Sequence, residues 1–192
     1  MSKKSRVVAL LGGQERDQDH NLNTRGLGVR RPDLKSINFR FLFEYHYPAF
    51  RDHLRQFKQP GVAVVAIDFA NQRVDGVACV AARIGQPNAI IVGRHSEADL
   101  FLAGDSTLSL RQMAVLVEPL SELGRPGRGV SYRVVDLRSS LGFQTEEGKI
   151  LSGIRSVGPA FVAAGNYGFF FFLTGDPSAW PESATLAWSF NR

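Results

Sequence analysis

The sequence predicts an all-β fold: a β-sandwich of about eleven short strands with an N-terminal aromatic strand/helix extension. Three observations predict it. From Val62 onward, apolar runs of strand length recur at short intervals between turn residues, the pattern of a sandwich rather than of alternating helices and strands. The run Phe169 to Phe172 is too continuous for a half-exposed strand, so its outer face needs a cover. The chain has 192 residues, 44% of them hydrophobic, which suits one domain plus an extension with enough apolar surface for a real core.

Taken in order, residues 1–34 read as a basic, largely disordered arm, because QERDQDHNLNTRGLGVRRPD is polar and without periodicity. The short VVALLGG near the start is either an added edge strand or inert. Residues 35–60 form the aromatic extension. Phe39, Phe41 and Phe43 alternate, which predicts a strand over Asn38 to Tyr45. Pro48 then suits the first position of a helix, with Phe50, Leu54 and Phe57 on one face. His46 and His53 are seven apart with no third ligand nearby and read as surface or half-buried side chains, not metal ligands. Gln59-Pro60-Gly61 closes the helix.

The sandwich occupies residues 61–176. Strands are predicted in VAVVAIDFA, GVACVAARIG, NAIIVGR, DLFL, QMAVLVEPL and VSYRVVDL. Asn71-Gln72-Arg73 and Gly85-Gln86-Pro87 supply turns, and GRPGRG from Gly124 a hairpin loop. GFQTEEGKIL reads as a hairpin turning at Glu147-Gly148, and PAFVAAGNYGFFFFL as two strands turning at Gly165-Asn166. The tail, residues 177–192, carries Trp180, Trp188 and Phe190, which are costly to leave bare and either pack back or meet a partner.

Composition narrows the function. Met1 to Lys58 hold 12 Lys+Arg against 6 Asp+Glu, a net +6, while the remainder holds 11 against 12, a net −1. The basic character therefore belongs to the front third. That arm lacks a Lys/Arg run with interleaved aromatics, so it reads as a solubilising tail more than as a nucleic-acid or lipid contact. The single cysteine, Cys79, sits in an apolar strand as a buried thiol, and a reducing, cytoplasmic setting is expected. No secretory leader or membrane span is read from the sequence. No Walker loop, catalytic triad or clustered metal ligands appear, so neither an enzyme nor a cofactor is expected.

The chemistry concentrates in IIVGRHSEADLFLAGDSTLSLRQMAVLV, Ile90 to Val117, which places Arg94 and Ser109 at the ends of neighbouring loops. Arg offers a planar fork of donors and Ser a hydroxyl, which together can grip one phosphate. Around this pair come Gly93-Arg94, then Asp99-Leu100-Phe101-Leu102, the acidic turn at Asp105, Ser109-Leu110-Arg111-Gln112, and Asp136-Leu137-Arg138-Ser139-Ser140-Leu141-Gly142-Phe143. With the closing strand pair, Pro159 to Phe172, these resemble in order and separation the forkhead-associated (FHA) domain, a phosphothreonine-reading β-sandwich, over Val62 to Gly175. The chain departs from that family at three places: the His is Gln112, the peptide-binding Asn is Leu141, and the following Thr is Phe143. The resemblance implies that Arg94 and Ser109 hold phosphate, that Gln112 braces the Ser109 loop through its amide, and that Leu141 removes the contact to the peptide backbone.

Arg94 is read either as the phosphate contact or as a structural arginine paired with Asp99 or Glu97; Ser109 either as a phosphate donor or as a turn serine. Arg111 lies two residues from Ser109, on the same side if the segment is a strand, and is a second cation or a solvated one. Arg138 and Ser140 complete the candidate phosphopeptide site; Gly93, Asp99, Gln112 and Gly142 support it, Gly142 by accepting a positive φ. The resemblance therefore implies a phosphothreonine-dependent, non-enzymatic adaptor in bacterial-type Ser/Thr kinase signalling. Its partner is a phosphorylated protein or peptide, or its own arm through Thr24. The other reading is a phosphate-independent scaffold with an apolar rim of Gln112, Leu141 and Phe143.

Overall fold

A computed structural model describes residues 38–120, 129–140 and 142–191. Eleven strands, among the described residues, form two sheets. They are β1 (Gly61–Asp68), β2 (Arg73–Ala81), β3 (Asn88–Gly93), β4 (Leu100–Phe101), β5 (Met113–Val117) and β6 (Tyr132–Asp136), then β7 (Phe143–Gln144), β8 (Ile150–Leu151), β9 (Gly153–Ser156), β10 (Ala160–Ala164) and β11 (Tyr167–Thr174). One sheet runs β2-β1-β11-β10-β7-β8 and the other β4-β3-β5-β6-β9. All neighbours are antiparallel except β3 and β4, which pair in parallel. The arm, the VVALLGG segment, residues 124–128 of the GRPGRG loop and Leu141 lie outside the described residues. Among the described residues no helix is long and apolar enough to cross a membrane.

The unbroken apolar runs of β1 and β11 have a simple cause: both faces of their sheet are covered. Successive strand residues point to opposite faces. Val62, Val64, Ala66, Phe169 and Phe171 therefore turn into the space between the sheets, where they meet Val115, Tyr132 and Val134. Ala63, Val65, Ile67, Phe170 and Phe172 turn the other way and pack under two helices, α1 (Phe39–Gln56) and α2 (Ala184–Phe190). Cys79 lies in this second layer; burial pushes its thiol up to about 12, so it is not a thiolate at neutral pH.

The extension departs from expectation. Asn38 to Tyr45 is not a strand. Asn38 caps α1, its side-chain oxygen accepting from Phe41 N at 3.0 Å, and the helix continues through Pro48 to Gln56. Phe39, Leu42, Phe43, His46, Tyr47, Phe50 and Leu54 are buried at a 3.6-residue spacing, whereas Phe41 and Tyr45 stay 56% and 62% exposed and stack on each other. Burial along the whole segment favours that spacing over the two-residue alternation of three phenylalanines. Pro48 is thus an interior helix residue, not the first one. The tail packs back: Trp180 and Trp188 are buried, Phe190 is exposed, and Tyr47 Oη donates to the Pro181 carbonyl at 2.7 Å. Arg51 and Arg55 both pair with Glu182.

Candidate functional site

Three loops meet at one end of the sandwich: residues 94–99 after β3, 102–112 before β5, and, after β6, a third whose described residues are 137–140 and 142. Backbone bonds bring the first two together. Arg94 N donates to the Ser109 carbonyl at 3.2 Å and His95 N to the Leu110 carbonyl at 3.0 Å. Gly93 permits this approach, because a Cβ there would collide with the Leu110 carbonyl. Arg94 Nε donates to the Leu108 carbonyl at 2.7 Å, which sets the guanidinium against the residue preceding Ser109.

The third loop is tied to the second through Gln112, which is 1% exposed. Its Oε1 accepts from Ser109 N at 3.0 Å, and its Nε2 donates to Ser139 Oγ at 2.8 Å and to the Gly142 carbonyl at 3.2 Å. Ser140 N donates to Ser109 Oγ at 3.2 Å, so the Ser109 hydroxyl accepts from the loop and retains its own proton for a further acceptor. Ser139 is the hub of the third loop. Its N and Oγ donate to the Asp136 carboxylate, and its Oγ also accepts from Gly142 N at 2.9 Å. Sequence reading passed over Ser139 in favour of Ser140. The signal available was Asp136 three residues before a serine, a spacing that closes a local side-chain-to-backbone turn.

Ser109, Ser140, Arg94, Gln112 and Gly142 are therefore assembled by direct hydrogen bonds. Arg111 and Arg138 are exposed, two residues from Ser109 and Ser140 respectively. The strand argument for Arg111 fails: β5 begins at Met113, and residues 109–112 form a turn that the Gln112 side chain closes onto Ser109 N. Arg138 has φ 58° and Gly142 φ 67°, both left-handed. Asp99 lies below the loops, its Oδ2 accepting from Ile91 N at 2.8 Å, and Glu97 N donates to His95 Nδ1 at 3.2 Å. The expected apolar rim is corrected at two of its three residues: Gln112 and Phe143 are both buried, Phe143 in the core between the sheets. Among the described residues no three His, Cys, Asp or Glu side chains group as metal ligands.

No protein-family model matches the chain, and no curated protein matches it in sequence. Among solved structures it is similar to the FHA domain of the CT664 protein from Chlamydia trachomatis, at 21% identity over 58% of this chain and 96% of that one, TM-score 0.42. It is also similar to the FHA1 domain of yeast Rad53, at 14% identity over 69% and 90%, TM-score 0.46. A third is the FHA domain of yeast Dun1, solved in complex with a doubly phosphorylated (pT) peptide derived from Rad53 SCD1, at 15% identity over 65% and 79%, TM-score 0.45.

Proposed function

We propose that this chain is a non-enzymatic, FHA-type module that binds phosphothreonine-bearing proteins, an adaptor in Ser/Thr kinase signalling. One observation carries the reading: the Arg94 guanidinium rests on the Leu108 carbonyl while the adjoining Ser109 hydroxyl is held by Ser140 N. A cation with a planar fork of donors and a hydroxyl proton one residue away from its anchor can clasp a single phosphate dianion by charge-assisted bonds. Arg111 and Arg138 add exposed positive charge within the same loops. With Leu141 where the resembling family has its peptide-binding Asn, selectivity beyond the phosphothreonine itself is weak.

Titration with a phosphothreonine peptide library, a peptide around phospho-Thr24 of the arm included, tests the reading. Micromolar or tighter binding is expected for some members and none for their unphosphorylated counterparts. Arg94→Ala is expected to weaken binding at least tenfold, since a charge-assisted hydrogen bond is worth about 1.5–3 kcal/mol. Capture of a cellular partner that survives Arg94→Ala unchanged overturns the reading in favour of a phosphate-independent scaffold.

A further inference from the structure

We infer that Asp105 is the positioning residue of the phosphate grip: it fixes Leu108 and Ser109 by fastening their loop to the β10–β11 turn of the opposite sheet. The inference rests on the reading that Arg94 and Ser109 hold phosphate. Asp105 is 4% exposed. Its Oδ1 accepts from Thr107 N at 2.8 Å, and the Thr107 hydroxyl lies 2.7 Å and 2.6 Å from its two oxygens. The Asp105 carbonyl accepts from Leu108 N at 3.2 Å. Those contacts would suffice for a local turn. Asp105 Oδ2 also accepts from Asn166 N at 2.7 Å, from a residue 61 positions away, and a local turn has no need of that bond.

The far side of the joint is shaped to receive the carboxylate. Gly165, at φ 57°, leaves room that a Cβ would take, since a methyl there would collide with Asp105 Oδ2. The Asn166 carbonyl in turn accepts from Phe69 N at 3.0 Å, which anchors the β10–β11 turn to the β1–β2 turn. The β1–β2 turn is itself closed by Asp68 Oδ1, which accepts from Ala70 N and Asn71 N. A path of hydrogen bonds thus runs from two hairpin turns of one sheet through Asp105 to Thr107. The next residue, Leu108, carries the carbonyl that seats Arg94, and the one after it is Ser109. Displacing Thr107 moves both phosphate-facing groups together.

Asp105→Asn tests this, because the amide has nearly the shape of the carboxylate. It supplies only one acceptor oxygen where Thr107 N and Asn166 N both donate, so in either orientation a donor faces a donor. Affinity for a phosphothreonine peptide that binds the unmodified protein is measured well below the unfolding temperature of each variant. Asp105→Asn is expected to weaken it about tenfold, and to add little to the loss already caused by Arg94→Lys, because both act on one geometry. The Arg94 Nε–H and Ser140 amide proton resonances are expected to shift in Asp105→Asn. Unchanged affinity in the folded variant, or losses that simply add, overturns the inference. If Asp105→Asn does not fold, Gly165→Ala must produce the same weakening and the same shifts. If the unmodified protein binds no phosphopeptide, it is the phosphate reading that fails; the resonances then decide the joint alone, and unmoved resonances defeat it.

Discussion

At Gln112 one buried carboxamide joins two loops: its oxygen takes the Ser109 N–H and its nitrogen gives to Ser139 Oγ and the Gly142 carbonyl. Truncation takes their Gln112 partner from the half-buried Ser109 N–H and Gly142 carbonyl, while Ser139 Oγ keeps its bonds to Asp136 and Gly142 N. Gln112→Ala is therefore expected to lose about 1–3 kcal/mol of stability, read by urea unfolding, and, on the proposed function, to weaken phosphopeptide binding as the Ser109 turn loosens. The amide chemistry of this residue could be read directly from its letter. The inward turn of Ser139 could not. Two adjacent serines are equivalent in sequence, and the left-handed backbone at Arg138 sends Ser139 toward Asp136 while Ser140 stays exposed. The sequence likewise placed Phe143 at the rim, because it follows the loop; yet it already belongs to β7 and is 1% exposed.

Among the elements, the strands were legible and the first helix was not. Turn residues bound most strands chemically, and the apolar runs between them match β1, β3 to β6, β10 and β11 closely, whereas β2 begins at Arg73, inside the expected turn, and ends at Ala81, before its run does. Residues 38–57 carry aromatics at both two-residue and 3.6-residue spacings, and only the sheet beneath decides between them. That packing has a consequence for pH. His46 lies buried on the inner face of α1, and desolvation holds its pKa below the usual 6.5. The unfolded chain takes up this proton first, so it binds more protons than the folded one as pH drops below 6.5, and stability falls. Thermal unfolding between pH 7.5 and 5 is expected to show this loss, and His46→Leu to reduce the slope. An identical slope in the variant would mean that another group titrates.

The molecule as a whole is three layers deep, with the six-stranded sheet in the middle, the five-stranded sheet on one side and the two helices on the other. Trp188 stacks on Phe161 with ring centroids 4.9 Å apart and meets Phe43 at 5.2 Å, bridging helix, sheet and tail. Trp188→Ala is expected to cost about 3–5 kcal/mol, measured by chemical denaturation, as for other large aromatic truncations in cores. A loss under about 1 kcal/mol would mean that the tail contributes little to the fold. The doubly covered middle sheet also dictates how the chain can be cut. A recombinant fragment trimmed to the sandwich borders would turn Phe170, Phe172 and Val65 out to water as one greasy plate and invite clumping. The smallest workable excerpt therefore starts no later than Asn38 and keeps every residue through Asn191, whose side chain latches back onto the Ala179 carbonyl.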